Sequence, residues 1–166
     1  MNREMRRAAA RYKPSRSRPE QLPIPPMFGL TPETSRRLAM RDRQSIDAVI
    51  TATGTLEDIL AVECIAVVQI YMLRDAIARP ARHQAEPDGL ATVLQTLERD
   101  VAPAVYGVIS RYRETRRVGC SGIERQALLM LAEISDQTLS ALPRRLHSEA
   151  YAYAVKNPQV RIEVPA

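Results

Sequence analysis

Past residue 31 the apolar positions of this chain repeat at helical spacing, and short polar or proline-containing breaks separate one register from the next. The first helix is predicted to start at Thr31, an N-cap residue followed by Pro32, whose missing N–H is harmless at the first helical position, and by Glu33 in the first turn. Its early turns, "PETSRRLAMRDRQS", are mostly polar; then Ile46, Val49, Ile50 and Thr53 fall on one face, and Gly54 is predicted to stop the helix in a left-handed cap. Thr55 with Asp58 three residues later resembles a capping box for the next helix. Two helices joined by so few residues must fold back on each other.

The second helix, Leu56 to Ala78, is apolar on nearly every side, with Ile59, Leu60, Val62, Ile65, Val68, Met72 and Leu73 among its residues. A helix of that kind is expected at the centre of its own bundle or partly in an oligomer interface. The β-branched run "CIAVVQIYML" also suits a strand, but its length and the cap at Thr55 favour a helix. Glu63 and Gln69 lie inside this run and, if buried, need partners; Glu63 is expected to reach an edge or pair with an arginine.

The break "ARPARHQAEPDG" precedes a third stripe, Leu90, Val93, Leu94, Leu97, Val101, Val105, Val108, Ile109 and Tyr112, whose steps of three, four and one describe an amphipathic helix. Pro103 interrupts it, and because the stripe stays in phase a kinked helix is expected there. Ser121 and Glu124 form a cleaner capping box for a fourth helix burying Ile123, Ala127, Leu128, Leu131 and Ile134 and reaching Leu142 before Pro143. A shorter helix, about Arg144 to Val155, and an extended tail follow. The predicted architecture is all-α: an antiparallel bundle of four main helices plus a short C-terminal helix over residues 31–155, an extended basic, Pro-rich N-terminal arm over 1–30, and an extended tail over 156–166.

Charge changes this picture at one end. The 166 residues carry a net charge of +5, yet Arg3, Arg6, Arg7, Arg11, Lys13, Arg16 and Arg18 face only Glu4 within the first 18, so the remainder of the chain is close to neutral. From Lys13 to Pro26 five prolines in fourteen residues predict an extended tether, and "MFGL", residues 27–30, offers a small hydrophobic latch onto the body. Two more basic clusters stand at Arg36, Arg37, Arg41 and Arg43 and at Arg111, Arg113, Arg116 and Arg117. The second complements the C-terminal dipole of the third helix. The first opposes the dipole of the helix it begins.

Other chemistry is thin. Cys64 and Cys120 are too few for a disulfide scaffold and lack zinc-site pairing, so a reducing cytoplasmic setting is expected. No run reaches the ~20 apolar residues of a membrane span, and the N-terminus has no secretory apolar core, although an Arg-rich, acid-poor start also suits an organelle transit peptide. Cys120, before a helix start and near Arg116 and Arg117, is the best nucleophile candidate, but no spacing brings His83 or His147 to it. "GCSG" is not a nucleophile elbow, no phosphate-binding glycine loop is present, and Glu133 and Asp136 lack the histidines of a di-iron bundle, so no cofactor or metal is expected.

A basic arm of this composition neutralises phosphates without reading sequence. Aromatic residues are 4% of the chain and tryptophan is absent, which disfavours single-strand stacking and leaves a duplex or structured backbone. A helix-turn-helix reading with "SGIERQ" opening the recognition helix would turn Glu124 toward phosphates. The same arm also suits an acidic protein surface or an anionic membrane. The expected function is a non-enzymatic accessory or adaptor protein that binds nucleic acid or an acidic protein through the arm together with Arg36, Arg37, Arg41 and Arg43. The alternatives are an oligomeric or regulatory interaction module using the second helix, and a small cysteine-dependent enzyme.

Overall fold

The computed structural model describes residues 32–83 and 87–157; the arm with its "MFGL" latch, and the tail past Asn157, lie outside the described residues. The described chain is all-α: α1 Pro32–Ile50, α2 Leu56–Ala78, the single turn α3 Pro80–His83, α4 Pro87–Thr96, a π-helical turn Leu97–Val101, α5 Ala102–Thr115, α6 Gly122–Ala141 and α7 Arg144–Lys156. No strand occurs among the described residues, so the β-branched run of α2 is helical.

The α1–α2 corner differs in detail from the expectation. Helix α1 ends at Ile50, and the left-handed residue is Ala52, at φ 58°, rather than Gly54. Gly54 serves a close approach instead: its N–H and that of Thr53 both donate to the Ala48 carbonyl at 2.9 and 3.0 Å, and a β-carbon on Gly54 would lie 3.1 Å from the Ala48 backbone carbon. Across the corner the Thr55 N–H donates to the Asp58 carboxylate at 2.8 Å, the reciprocal half of a capping box.

Helix α2 is the axis of the body. It packs most extensively against α7 and α1, then α4, and it also touches α5 and α6. Ile59, Val62, Val68, Met72, Leu73 and Ala76 are buried along it. Gln69, 1% exposed, is satisfied in the core: its amide nitrogen donates to Ser135 Oγ at 3.2 Å and its carbonyl accepts from Thr138 Oγ1, which ties α2 to α6 at one register.

The expected kink before Pro103 takes the form of the π turn. The Ala102 N–H reaches back five residues to the Leu97 carbonyl, and Pro103, which has no N–H to donate, follows at once in the first turn of α5. The stripe stays in phase across it, with Leu97, Val101, Val105, Val108 and Ile109 all buried.

At the start of α6, Ser121 Oγ accepts from the Glu124 N–H at 3.3 Å and the Glu124 carboxylate accepts from the Ser121 N–H at 2.6 Å. Ile123 is 82% exposed, contrary to the expectation that it is buried. It sits in the capped first turn, and the inward position is used by Glu124, which takes a forked pair of bonds from Arg111 at 2.7 and 3.0 Å. This lock explains Gly107 of α5, where a β-carbon would stand 2.3 Å from Glu124 Oε1.

Burial works against ionisation of Glu124, but the hydrogen bonds from Arg111 and Ser121 outweigh it and hold its carboxyl below the ordinary value. The carboxylate is therefore a fixed object that Gly107 must clear. Alanine is the better helix former by about 1 kcal/mol, whereas overpacking a fixed site costs about 1–3 kcal/mol. We expect Gly107→Ala to lower stability in urea unfolding and to raise it in a Glu124→Ala background; a stabilising Gly107→Ala in the otherwise unchanged chain would contradict the lock.

Candidate functional site

The seven cations of the arm, Arg3, Arg6, Arg7, Arg11, Lys13, Arg16 and Arg18, lie outside the described residues. The four expected to extend them separate into two kinds. Arg41 lies 3.6 Å from Asp42 and Arg43 bonds Asp136 of α6 at 2.7 Å, so both are engaged within the body. Arg36 and Arg37 are exposed in the first turns of α1 and form no ion pair among the described residues, and Glu33, one turn before Arg36, forms none there either.

Arg36 opens onto a depression of about 700 Å³ where α1, α3, α6 and α7 meet. Its lining includes Arg36 and Ala39 of α1, His83 of α3, Asp136 and Ser140 of α6, and Arg144 of α7. Asp136, the carboxylate among its lining residues, already holds Arg43. Outside the lining, Asp75 accepts from both His83 at 2.7 Å and Arg79 at 2.9 Å, and Glu149 is shared by Arg82 and Arg145. His83, expected in a loop, is 7% exposed in the turn α3 and held by Asp75. Arg144 was not among the expected site residues, although "LPRR" is readable as a helix start that places cations against the dipole.

A second concavity, about 490 Å³, runs along the side of α2 that other helices leave uncovered. Ala66, Val67 and Ile70 of α2 form its floor, Val105, Tyr106 and Ile109 of α5 one wall, and Tyr153 of α7, stacked 4.8 Å from Tyr71, the other. Its charged ends are neutralised internally, Arg74 by Glu98 at 2.6 Å and Asp75 by His83 and Arg79. Glu63, only 7% exposed, lines the groove rather than reaching solvent at an edge.

The thiol chemistry does not assemble. Burial, then the Glu124 carboxylate, push the Cys120 thiol up against the smaller pull of Arg111 and Arg125, the opposite of an activated nucleophile. The Cys64 thiol is raised as well, by burial first and then by Asp42. Arg116 lies over the Tyr112 ring rather than on the thiol, and Glu124 points into the Arg111 lock, not outward as a recognition helix would present it. Among the described residues no group of three histidines, cysteines or carboxylates is placed to hold a metal ion, and no helix is long and apolar enough to cross a membrane.

No family model, curated protein or solved structure matches this chain.

His147 of α7 is 5% exposed, and burial first, then the charge of Arg41, hold its imidazole below the ordinary value of 6.5. A depressed histidine stabilises the fold above its unfolded value, and that contribution disappears as pH falls from there toward the folded value. The melting temperature should therefore fall between about pH 7.5 and 5.5, and more steeply than in His147→Gln; parallel curves for the two proteins would show that His147 titrates alike folded and unfolded.

Proposed function

We propose that the protein is a non-enzymatic helical accessory or adaptor protein whose Arg-rich arm engages an anionic partner, nucleic acid in preference to an acidic protein surface. In this reading the body is an antiparallel bundle of α1, α2, the continuous α4–α5 and α6, with α7 as a short fifth helix, and the arm is its electrostatic reach. The observation that carries the proposal is the state of Arg36 and Arg37. They follow directly on the arm, oppose the dipole of the helix they begin, and stand without ion pairs among the described residues, where most other arginines of the body bond a carboxylate. Cations kept at a place that costs folding energy are understood as serving an external anion.

Deleting residues 1–18 should abolish binding to duplex DNA or RNA at low salt while helicity by circular dichroism is unchanged. Arg36→Ala with Arg37→Ala, made in the full chain, should weaken binding in the salt-dependent manner of phosphate recognition, lowering the slope of log affinity against log salt by about 0.9 for each phosphate no longer neutralised. Unchanged affinity of the deletion would overturn the proposal, and competition by polyglutamate but not by duplex would redirect it to an acidic protein.

The groove along α2 favours a second reading, an interaction module that takes an apolar protein surface. Tyr106 is 53% exposed on its wall and Tyr153 42% on the opposite side, large rings left in water where the helix that forms the floor is most apolar. If the groove is an interface, Val67→Arg abolishes self-association or partner binding measured by sedimentation. A chain that stays monomeric at high concentration and captures nothing through this face would remove that reading.

A further inference from the structure

We infer that α7 is an acid-released cover: protonation of His147 undocks this helix from α2 while the rest of the body stays folded. The inference stands apart from the anionic-partner reading, since it uses only the contacts of α7 with the body.

The grip of α7 is small for a helix of 13 residues. Its buried side chains are Leu146, His147, Ala150 and Ala154, so one leucine and two alanines supply the apolar part and the imidazole fills the remaining place. By contrast, α6 buries Leu128, Leu131 and Ile134. The joint between the two helices is slight as well. Leu142 and Pro143 are both extended, at ψ 152° and 135°, and no side chain caps the first turn of α7. A helix held by few apolar contacts and joined through extended residues opens on its own, at less cost than unfolding the whole.

His147 sits inside this contact, 5% exposed, and its ring nitrogens form no hydrogen bond or ion pair among the described residues. Buried polar groups are nearly always paired, and an imidazole without a partner is tolerated best when it is neutral. Of the ionisable groups on the neighbouring helices, Arg41 of α1 is the one that bears on the ring, and its charge opposes a proton there. Asp42 lies beside Arg41, Asp75 of α2 is taken by His83 and Arg79, and Glu149 of α7 by Arg82 and Arg145. Glu63 of α2 has a partner of its own, and burial keeps the Cys64 thiol neutral.

A proton on His147 therefore brings a second positive charge into a dry contact where no carboxylate acts on the ring. Undocked, the same ring is hydrated and titrates as a free histidine. The sign follows from the lowered value of the docked state: docking is strongest above the free value of 6.5 and weakens as pH falls from there toward the docked value. With α7 goes Tyr153, stacked on Tyr71, and α2 loses the neighbour against which it packs most extensively. The apolar groove then widens onto the face that α7 had covered.

The test is hydrogen–deuterium exchange of the full chain at two pH values, about 7.5 and about 5.5, corrected for the intrinsic pH dependence of amide exchange. Linkage to one proton raises the undocking equilibrium by up to about tenfold for each pH unit below about 6.5. Amides of α7 should exchange at least about threefold faster at the lower pH, with those of α6 unchanged, and the difference should vanish in His147→Gln, which does not titrate. Arg41→Gln removes the opposing charge and should weaken the acid response; it decides if His147→Gln disturbs folding by circular dichroism. Equal acceleration of α6 and α7 would mean that the whole body unfolds and would overturn the inference. So would a response that persists in His147→Gln, which places the trigger at Glu149, or protection of α7 that does not change with pH.

Discussion

Burial of α2 is the constraint on which the rest of the body depends. Its apolar residues point in nearly every direction, and each such side chain taken out of water contributes roughly 1.5–3 kcal/mol. No single neighbour can cover them, so α7, α1, α4, α5 and α6 all come to lie against it. Hydrophobic packing alone would tolerate sliding of one helix along another. The Gln69 amide, buried and bonded to Ser135 and Thr138, removes that freedom because any slip would leave polar groups dry and unpaired. The groove beside Val67 and Ile70 follows from the same excess: α2 carries more apolar surface than the chain's other described helices cover.

The helical fold was legible because strong local signals agree with the long-range packing. Thr55–Asp58 and Ser121–Glu124 mark helix starts by the side-chain chemistry that the backbone requires there, and the third stripe keeps its phase over more than twenty residues. Even the π turn left a trace in the sequence, as two successive steps of four from Leu97 to Val101 to Val105, wider than an α-helix prefers. What was misread depends on neighbours distant in sequence. Ile123 fits the apolar register of α6, but only the presence of Arg111 and Gly107 on α5 shows why Glu124 and not Ile123 faces inward. Gly54 is the natural candidate for a left-handed residue until the proximity of Ala48 gives it another task.

Of the candidate site, the sequence displayed the charges but not their partners. Arg36, Arg37, Arg41 and Arg43 look equivalent along the chain, and only the approach of α6 distinguishes Arg43, which meets Asp136, from Arg36, which meets no acid among the described residues. The depression beside Arg36 was invisible, since it joins residues from α1, α3, α6 and α7 separated by up to about a hundred positions. Cys120 is attractive in sequence for its neighbours Arg116 and Arg117, yet in the fold burial first, and then the Glu124 carboxylate, make its thiol resist ionisation.

The π turn has a geometric result of its own. It holds one residue beyond the α-helical count, and in an α-helix one residue corresponds to about 100° of rotation about the axis. Were the same residues to run as a regular α-helix through Leu97–Val101, every side chain of α5 would be turned by about that angle relative to α4. Val105 and Ile109 would swing out of the interior, and Arg111 would lose its aim at Glu124 on α6. The small irregularity thus works as a phase adjuster, letting two helical segments of one continuous stretch address different neighbours.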